Sequence, residues 1–549
     1  MADKSGRHEG VMWQALWAPY RQQGMSLQEQ VRQMLVAVIL EGLLPASALL
    51  PSTRELSLSL GVSRNTIIIV YQRLCDEGYL VAESRTGYRV ASGTAGLLVP
   101  RAQQRVATAG APRAVRPPHD PLPRGFLANE NALRPPVDVV KSPGRWAFTG
   151  PATQPDLLPD WEGRLLQPPS RQRNIQKRRD WYNYPWPFLY GQFDASSFPM
   201  ADWRQCCLRT LNALAVNEWG RDMFLEDEPG LIRQIRTRLL PQRGIHVDEE
   251  NILVTVGSQH ALHLLADLLV DERVRVGIEN PGYPDARNIF ARRRARLQAL
   301  AVDGEGVVPS RLMHACDYLY VTPSHQCPTM VRMSMARRET LLEKAARHDI
   351  VLIEDDYDTA SVADQRPMPA LKSLDRDQRV IYLGSFSKSV APGLRLGYLV
   401  GARELVAELR CMRRLSIRHP NVFIQRVMAQ FLAMGHYHSL QRRLGEVQAA
   451  RAACLRDALA RHLPMCSVNE GHGGTAFWIE GPRGLDARRL GELAEGDGVL
   501  IEPGDVFFMS SDGACPFFRM GFTSIAERDI DSGVARLAAV MGRLRRENP

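Results

Sequence analysis

The 549-residue chain contains no run of eighteen apolar residues, and its longest apolar stretches, such as Leu35–Leu40, are far too short to span a bilayer. Met1–Gly10 is polar and lacks the apolar core of a secretory signal, so the chain is expected to work in the cytoplasm, without a membrane. Cysteine is sparse: the nine residues are scattered, no CxxC pair occurs, and Cys206 and Cys207 are merely adjacent. That pattern excludes a disulfide framework and a zinc finger, fits reduced thiols, and leads us to expect no metal site. Charge of one sign is also lacking. The whole chain carries 69 basic against 60 acidic residues, and residues 1–92 carry nine against eight. A polyanionic partner must therefore be argued from where charges sit. What is present is ordinary globular material, 45% hydrophobic and 23% charged, long enough for three or four domains.

Composition divides the chain. Residues 25–91 are periodic. Residues 93–145 turn to Ala, Gly, Arg and Pro, with prolines from Pro100 to Pro143 dense enough to prevent helix and sheet, which predicts a semi-extended linker. Residues 146–200 are rich in Trp, Tyr and Pro (Trp181, Tyr182, Trp186, Phe188, Tyr190) and read as an ordered lead-in lying on the large domain that follows. From 201 to 420, short β-rich runs (Ile252–Val256, Val274–Ile278, Tyr318–Thr322, Ile350–Glu354, Val380–Gly384, Leu396–Val400) alternate with helical patterns, which predicts a mostly parallel sheet covered on both faces. Residues 421–549 change to a helix-rich, then mixed pattern and are expected to form a smaller C-terminal domain. The run Arg292-Arg293-Arg294, with Arg296, reads as a solvated helix face.

In the first segment Leu27, Val31, Met34, Leu35 and Val38 recur at helical spacing. Ser52-Thr53-Arg54-Glu55 is a capping box opening a second helix, which Gly61 ends. Ser63 caps a third helix, whose buried face is Ile67, Val70, Tyr71 and Leu74, leaving Arg64, Asn65 and Thr66 at its N-terminal end. Helix, tight turn and helix with polar side chains at the start of the second is the geometry that enters a major groove. Gly78–Val81 followed by Ser84–Tyr88 reads as a small two-stranded wing around a turn. Ile68 and Ile69 add apolar surface where small or polar residues are expected. The alternative is a small three-helix bundle with solvated arginines. The string LPSTRELSLSLGVSRNTIIIVYQRLCDEGYL resembles the winged helix-turn-helix of the GntR superfamily. The resemblance implies DNA contacts by Arg54, Ser63, Arg64, Asn65, Thr66 and the wing residues Arg85, Thr86 and Gly87.

Four features of the larger part converge. Val256-Gly257-Ser258-Gln259 lies between a strand and a helix, so backbone N–H groups at a helix N-terminus are available to a phosphate. Ile353-Glu354-Asp355-Asp356-Tyr357 puts carboxylates at the carboxyl end of a strand, where α/β sheets bind ligands. Ser385-Phe386-Ser387-Lys388 ends another strand, and Arg395 follows beyond the Pro392-Gly393 turn. Each alone is a weak signal, since a lysine after a strand is ordinarily solvated and Gly-Ser before a helix is ordinarily a cap. Together, in YVTPSHQCPTM, VLIEDDYD and VIYLGSFSKSVAPGLRLGYLV, they resemble the fold-type I aminotransferases that bind pyridoxal 5′-phosphate (PLP). With the head attached they resemble the MocR-type regulators.

That resemblance implies an N-terminal α+β winged helix-turn-helix followed by an α/β fold-type I PLP-dependent transferase, with a large parallel-sheet domain and a smaller C-terminal α+β domain. It implies that Lys388 forms a Schiff base with PLP, which needs a partly desolvated amine of lowered pKa. Asp355 would meet the pyridinium nitrogen, Tyr357 the phenolic oxygen, and Tyr283 the ring face. Gly257, Ser258, Gln259, Ser385, Ser387 and Arg395 would hold the phosphate. His325 and Gln326 are implied near the cofactor, although Cys327 and Met330 stand where relatives commonly have an aromatic residue and a glycine. Arg519, in Phe518-Arg519-Met520-Gly521-Phe522, is implied as the clamp for an effector's or substrate's carboxylate, against the plainer reading of an arginine ending an edge strand.

The expected function is a cytoplasmic, nucleoid-associated regulator that binds double-stranded DNA as a homodimer. Its heads would reach across to the partner's body, and it would sense PLP or an amine or amino-acid effector through aldimine exchange at Lys388. The alternative is a working class I/II aminotransferase with an appended head. A DNA-binding scaffold with a dead cofactor site conflicts with the retained lysine.

Overall fold

The computed structural model describes residues 13–20, 25–83, 87–91, 161–211, 213–358, 368–471, 473–510 and 513–547. Arg85, Thr86, the linker 93–145 and the first part of the lead-in lie outside the described residues. Residues 100–171 group as a separate unit, whose described part holds a single helical turn, Trp161–Arg164, and a short turn, Pro169–Arg171. All that follows concerns the other unit.

The head is a three-helix core with a wing. Ser26, Ser52 and Ser63 cap helices Leu27–Leu40, Thr53–Leu60 and Arg64–Asp76. The Ser52 cap is a reciprocal box with Glu55, and Gly61 closes the second helix at φ 67°. Strands β1 (Leu80–Glu83) and β2 (Gly87–Val90) pair antiparallel, as the wing reading predicts. A helix that the sequence reading passed over, Trp13–Trp17, adds Trp17 to the same core, so the head begins before residue 25. Ile67, Val70, Tyr71 and Leu74 are buried, whereas Ile69 is exposed and Ile68 half-buried.

In the lead-in, β3 (Trp186–Pro187) is followed by the large domain. Its sheet contains β4 (Ile252–Thr255), β5 (Arg275–Asn280), β6 (Arg296–Asp303), β7 (Gly306–Val307), β8 (Tyr318–Val321), β9 (Val351–Asp356), β10 (Val380–Ser385) and β11 (Gly397–Val400), in the spatial order 4-11-10-9-8-5-6-7. The centre is parallel, but β11 runs antiparallel to both of its neighbours. That reversal sets the site. It leaves β4 and β10 running the same way, so their carboxyl ends share an edge with those of β9 and β8. The start of β11, just after Arg395, arrives at that edge too, with Gly397 opposite both Thr255 and Ser385. The arginine run is not one helix face. The helix Pro284–Arg292 ends at its first member and β6 starts at Arg296.

The C-terminal domain is an antiparallel sheet of β12 (Ser467–Asn469), β13 (Ala476–Glu480), β15 (Glu502–Pro503) and β16 (Phe517–Gly521), in the order 12-13-16-15, packed on the helix Glu527–Glu547. A further strand, β14 (Val499–Leu500), pairs in parallel with β3, and Phe188 is buried in the same core. The later part of the lead-in thus packs on the C-terminal domain and not, as expected, simply on the large one; its apolar side chains fill a gap beside β14. The structural boundary also lies beyond residue 420. Helix Val422–Ala433 sends Val427, Met428 and Phe431 into the large-domain core, and the long helix His436–His462 contributes Leu440 to that core but Leu455 and Leu459 to the other.

The head sits on the body of its own chain, at the turn before that long helix. Arg32, fully buried, pairs with Glu77 (2.6 Å) and Glu29 (3.4 Å) and donates to the Met434 carbonyl (2.8 Å); Tyr79 donates to the Gly435 carbonyl (2.6 Å). Removing one partner of a buried ion pair strands the others. Arg32→Met is expected to destabilise the head by about 3 kcal/mol or more, measured by equilibrium denaturation. A denaturation midpoint equal to the wild-type value would remove that weight from the cluster.

Candidate functional site

At the common strand edge lies a cavity of about 300 Å³. Asp355 is the next-to-last residue of β9 and is only 2% exposed. Tyr320 on β8 donates to Asp355 Oδ2 (2.8 Å), while Oδ1 is buried without a hydrogen-bond partner among the described residues. Burial pushes this carboxyl up to about 7, against the pull of the Tyr320 hydrogen bond, with Asp356 and Glu279 adding to the rise. The Tyr357 hydroxyl is likewise buried and has no partner among the described residues. Both side chains line the cavity.

Lys388 lines it from the segment after β10, its Nζ 4.5 Å from the centre of the Tyr190 ring. Burial lowers its pKa to about 8, and the nearby Lys177 cation pushes the same way. Gly191 makes the close approach possible: its φ is 68°, and a Cβ there would lie 1.8 Å from Lys388 Nζ. Ser258 and Gln259 open the helix Ser258–Leu269 at one end of the cavity, joined by Ser385, Ser387 and Arg395. Arg395 donates to the Val256 carbonyl (3.0 Å), and the Ser387 amide donates to Ser385 Oγ (3.1 Å). Gly257 is behind this group at φ 78°, where a Cβ would meet the Arg395 guanidinium at 2.9 Å. Tyr283 closes one wall and donates to Asp285 (3.0 Å).

At the far wall Arg519, 1% exposed, donates from Nε to Glu502 (2.7 Å) and stacks over Tyr190 at 4.2 Å. It comes from β16, in the middle of a paired sheet and not at a loose edge. His325 and Gln326 stand one layer back. His325 Nδ1 meets the Asp358 carbonyl (2.8 Å), and Gln326 spends its amide on Glu279, Pro281 and Cys327 while accepting from Thr329. Their geometry holds the turn that carries Cys327 to the cavity. Met330 takes the left-handed conformation (φ 61°) usual for glycine, with the backbone of Gly471 packed against it. Sequence reasoning missed Asn174, Ile175, Lys177 and Tyr190, all on the lead-in; its aromatic density was the available signal, but no motif singled out the lysine.

On the head, Arg54, Arg64 and Asn65 are exposed, with Arg64 Nε 3.3 Å from Thr53 Oγ1. The Ser63 hydroxyl accepts the Thr66 amide and lies 2.9 Å from the Thr66 hydroxyl, so both residues are engaged in the cap. Gly87 begins β2 at φ 107°.

Fold and site together define a GntR-type DNA-reading module fused to an aminotransferase-type body. Residues 27–90 match the bacterial regulatory proteins of the gntR family, and residues 229–537 match aminotransferase class I and II. The HTH-type transcriptional regulator TauR of Rhodobacter capsulatus is 35% identical over 94% of this chain and 96% of its own length. The probable rhizopine catabolism regulatory protein MocR of Rhizobium meliloti is 30% identical over 88% of this chain and 87% of its own. Among solved structures, kynurenine aminotransferase of Pyrococcus horikoshii, in complex with PMP, aligns at TM-score 0.65 and 25% identity, over 70% of this chain and 98% of that one. The chain belongs to the MocR-type transcriptional regulators. Among the described residues no helix is long and apolar enough to cross a membrane.

The lowered pKa of Lys388 has a direct readout. Labelling of its amine by an acylating reagent, followed by mass spectrometry on protein free of PLP, is expected to be half-maximal near pH 8. A midpoint near 10.5, the ordinary lysine value, would mean that the amine is not desolvated.

Proposed function

We propose that the protein is a PLP-dependent transcriptional regulator whose aminotransferase-like body senses PLP, an amine or an amino acid and alters how its head engages DNA. One observation carries the cofactor part: two buried polar atoms without partners among the described residues, Asp355 Oδ1 and the Tyr357 hydroxyl, line one cavity with Lys388. Buried polar groups are nearly always satisfied, and these lack what a pyridinium N–H and a phenolate oxygen would supply. The residues fit the group.

When bound, PLP supplies an aldehyde and a ring that accepts electrons. Lys388, as a neutral amine, would hold the aldehyde carbon, and Asp355 would keep the ring nitrogen protonated. Tyr357 would donate to or accept from the phenolic oxygen, with Tyr283 along the ring. Ser258, Gln259, Ser385, Ser387 and Arg395 would hold the phosphate, with Gly257 allowing the approach; His325 and Gln326 would brace the wall behind. Arg519 would orient an acid group of the effector. A ligand moves a conformational equilibrium only by binding one state better, so an effector that displaces Lys388 must change contacts that differ between DNA-engaging states. The head would read double-stranded DNA through Arg54, Arg64 and Asn65, with Ser63 and Thr66 framing the helix start and Arg85, Thr86 and Gly87 in the wing. A cytoplasmic homodimer acting on nucleoid DNA completes the reading. A working aminotransferase is the second reading, favoured by the likeness to kynurenine aminotransferase over 98% of that chain.

Borohydride reduction of PLP-loaded protein is expected to leave a pyridoxyl group on Lys388, and Lys388→Ala to lose it while keeping basal DNA binding. A discrete footprint upstream of a regulated gene, changing with PLP or an amine, supports the regulator; keto-acid production with no footprint at any salt supports the enzyme. Arg64→Ala is expected to weaken specific binding by about 1–3 kcal/mol, read by titration on the footprinted site; unchanged affinity would assign Arg64 to packing.

A further inference from the structure

Two isoleucines on the helix Arg64–Asp76, Ile68 and Ile69, have no place in the core of the head. That helix buries Ile67, Val70, Tyr71 and Leu74. At the pitch of an α-helix, the direction opposite those four is taken by Asn65, Ile69 and Gln72, within about 60° of one another. All three are exposed, Ile69 at 37%, and Ile68 beside them is half-buried. Neither isoleucine belongs to the apolar cluster of the head. The body's hydrogen bonds to the head go to Arg32, Asp76, Glu77 and Tyr79, which gather around the C-terminal end of this helix and away from its first turns.

A single exposed isoleucine is ordinary on a protein surface. Its neighbours make this one informative. Arg54 and Arg64 are exposed at the helix start, and from Arg64 to Gln72 the helix carries no acidic side chain. Two arginines at the positive end of a helix suit a polyanion. The amides of Asn65 and Gln72 bracket Ile69. Along the axis Asn65 precedes it by about 6 Å and Gln72 follows it by about 4.5 Å, each within two steps of a duplex whose base pairs are about 3.4 Å apart.

The floor of a major groove offers hydrocarbon one partner. Guanine, adenine and cytosine present only hydrogen-bonding groups there, whereas thymine adds a C5-methyl. Against the polar edge of guanine or cytosine, a seated isoleucine strips water and returns no hydrogen bond. Against thymine, it and the methyl group leave water together. Asparagine and glutamine favour adenine in the same groove, so the three side chains agree on A·T pairs.

We infer that Ile69 reads the C5-methyl of a thymine in the major groove, a specificity-determining contact of the head, with Asn65 and Gln72 facing the adjoining base pairs. The inference deepens the DNA-reading part of the proposed function and rests on it.

The test begins with full-length protein selecting duplexes from a randomised library. If no sequence is enriched at any salt, the DNA-reading head falls and this inference falls with it. On the selected duplex each thymine is then replaced in turn by deoxyuridine, which removes the C5-methyl and leaves every hydrogen-bonding group. For wild type, at least one replacement is expected to weaken binding about fourfold, the worth of one buried methyl group. Ile69→Ala should bind the thymine duplex at least that much more weakly and be indifferent to the same replacement, so that the two losses do not add. Ile69→Val, which keeps a branched side chain, should recover most of the discrimination. No charge is involved, so the salt dependence of Ile69→Ala should match that of wild type. Wild type that tolerates deoxyuridine at every position, or a replacement that costs Ile69→Ala as much as wild type, would overturn the proposal. In the first case, a weaker Ile69→Ala would assign the residue to a protein contact instead.

Discussion

A half-bonded carboxylate in the interior, at Asp355, organises the body. Successive strand residues face opposite sides of a sheet, and β9 carries three acids in a row. Glu354 and Asp356 turn to one side, where protein groups meet them, although Asp356 Oδ1, like Asp355 Oδ1, has no hydrogen-bond partner among the described residues. The amides of Leu371 and Lys372 donate to Glu354 at 2.8 and 2.9 Å, and Arg243 and the Tyr382 hydroxyl meet Asp356 at 2.8 and 2.7 Å. Asp355 turns to the other side and receives one bond, from Tyr320. Leaving a buried acceptor open costs on the order of 1–3 kcal/mol, more for a charged one. The fold sustains that cost because β8, β9 and β10 are fixed in register around the site. Glu279, buried on β5 and pushed up to about 7 by that burial, is bonded to Thr322 and Gln326 and fixes the turn leading to Cys327. The open oxygen is therefore held in place by its surroundings rather than free to rotate toward a local donor.

The parts legible in the sequence were those with short-range chemistry. A serine followed three residues later by glutamate, ahead of a helical apolar pattern, is a local signal for a cap, and Ser52–Glu55 formed one. The six β-rich runs all became strands of one sheet, because buried strands read as continuous apolar runs. β6 escaped notice because it is an outer, half-exposed strand that opens on Arg296 and carries Gln298, beside a strand of two residues. The boundary near 420 was misplaced because composition changes there while the core does not, Val427 and Phe431 being apolar for the large domain's sake. Lys177 was illegible for a different reason. Its place at the cavity depends on Glu502 and Tyr190, separated from it by 325 and 13 positions, and no local pattern encodes that meeting.

Two routes join the cavity to the head, and they differ physically. One is the covalent chain itself, which connects residue 91 of the head to the lead-in through residues outside those described. The other is packed: the helix His436–His462 begins at the Met434–Gly435 turn on which Arg32 and Tyr79 of the head rest. Its Ser439 donates to the Glu77 carbonyl of the head (3.2 Å), and its Gln441 donates to the Ser389 carbonyl, next to Lys388 (2.5 Å). Further along, Arg451 pairs with Asp194 (2.8 Å), just beyond Tyr190 and Gly191. One helix therefore touches the head, the segment bearing Lys388 and the segment pressed against it. The Gly435 turn makes the seat selective. At φ 77°, a Cβ on it would lie 2.5 Å from the Tyr79 hydroxyl and 2.7 Å from Val36, so the head fits only against bare backbone. A contact of that closeness ties the head's position to the start of the helix that also reaches the Ser389 carbonyl and Asp194.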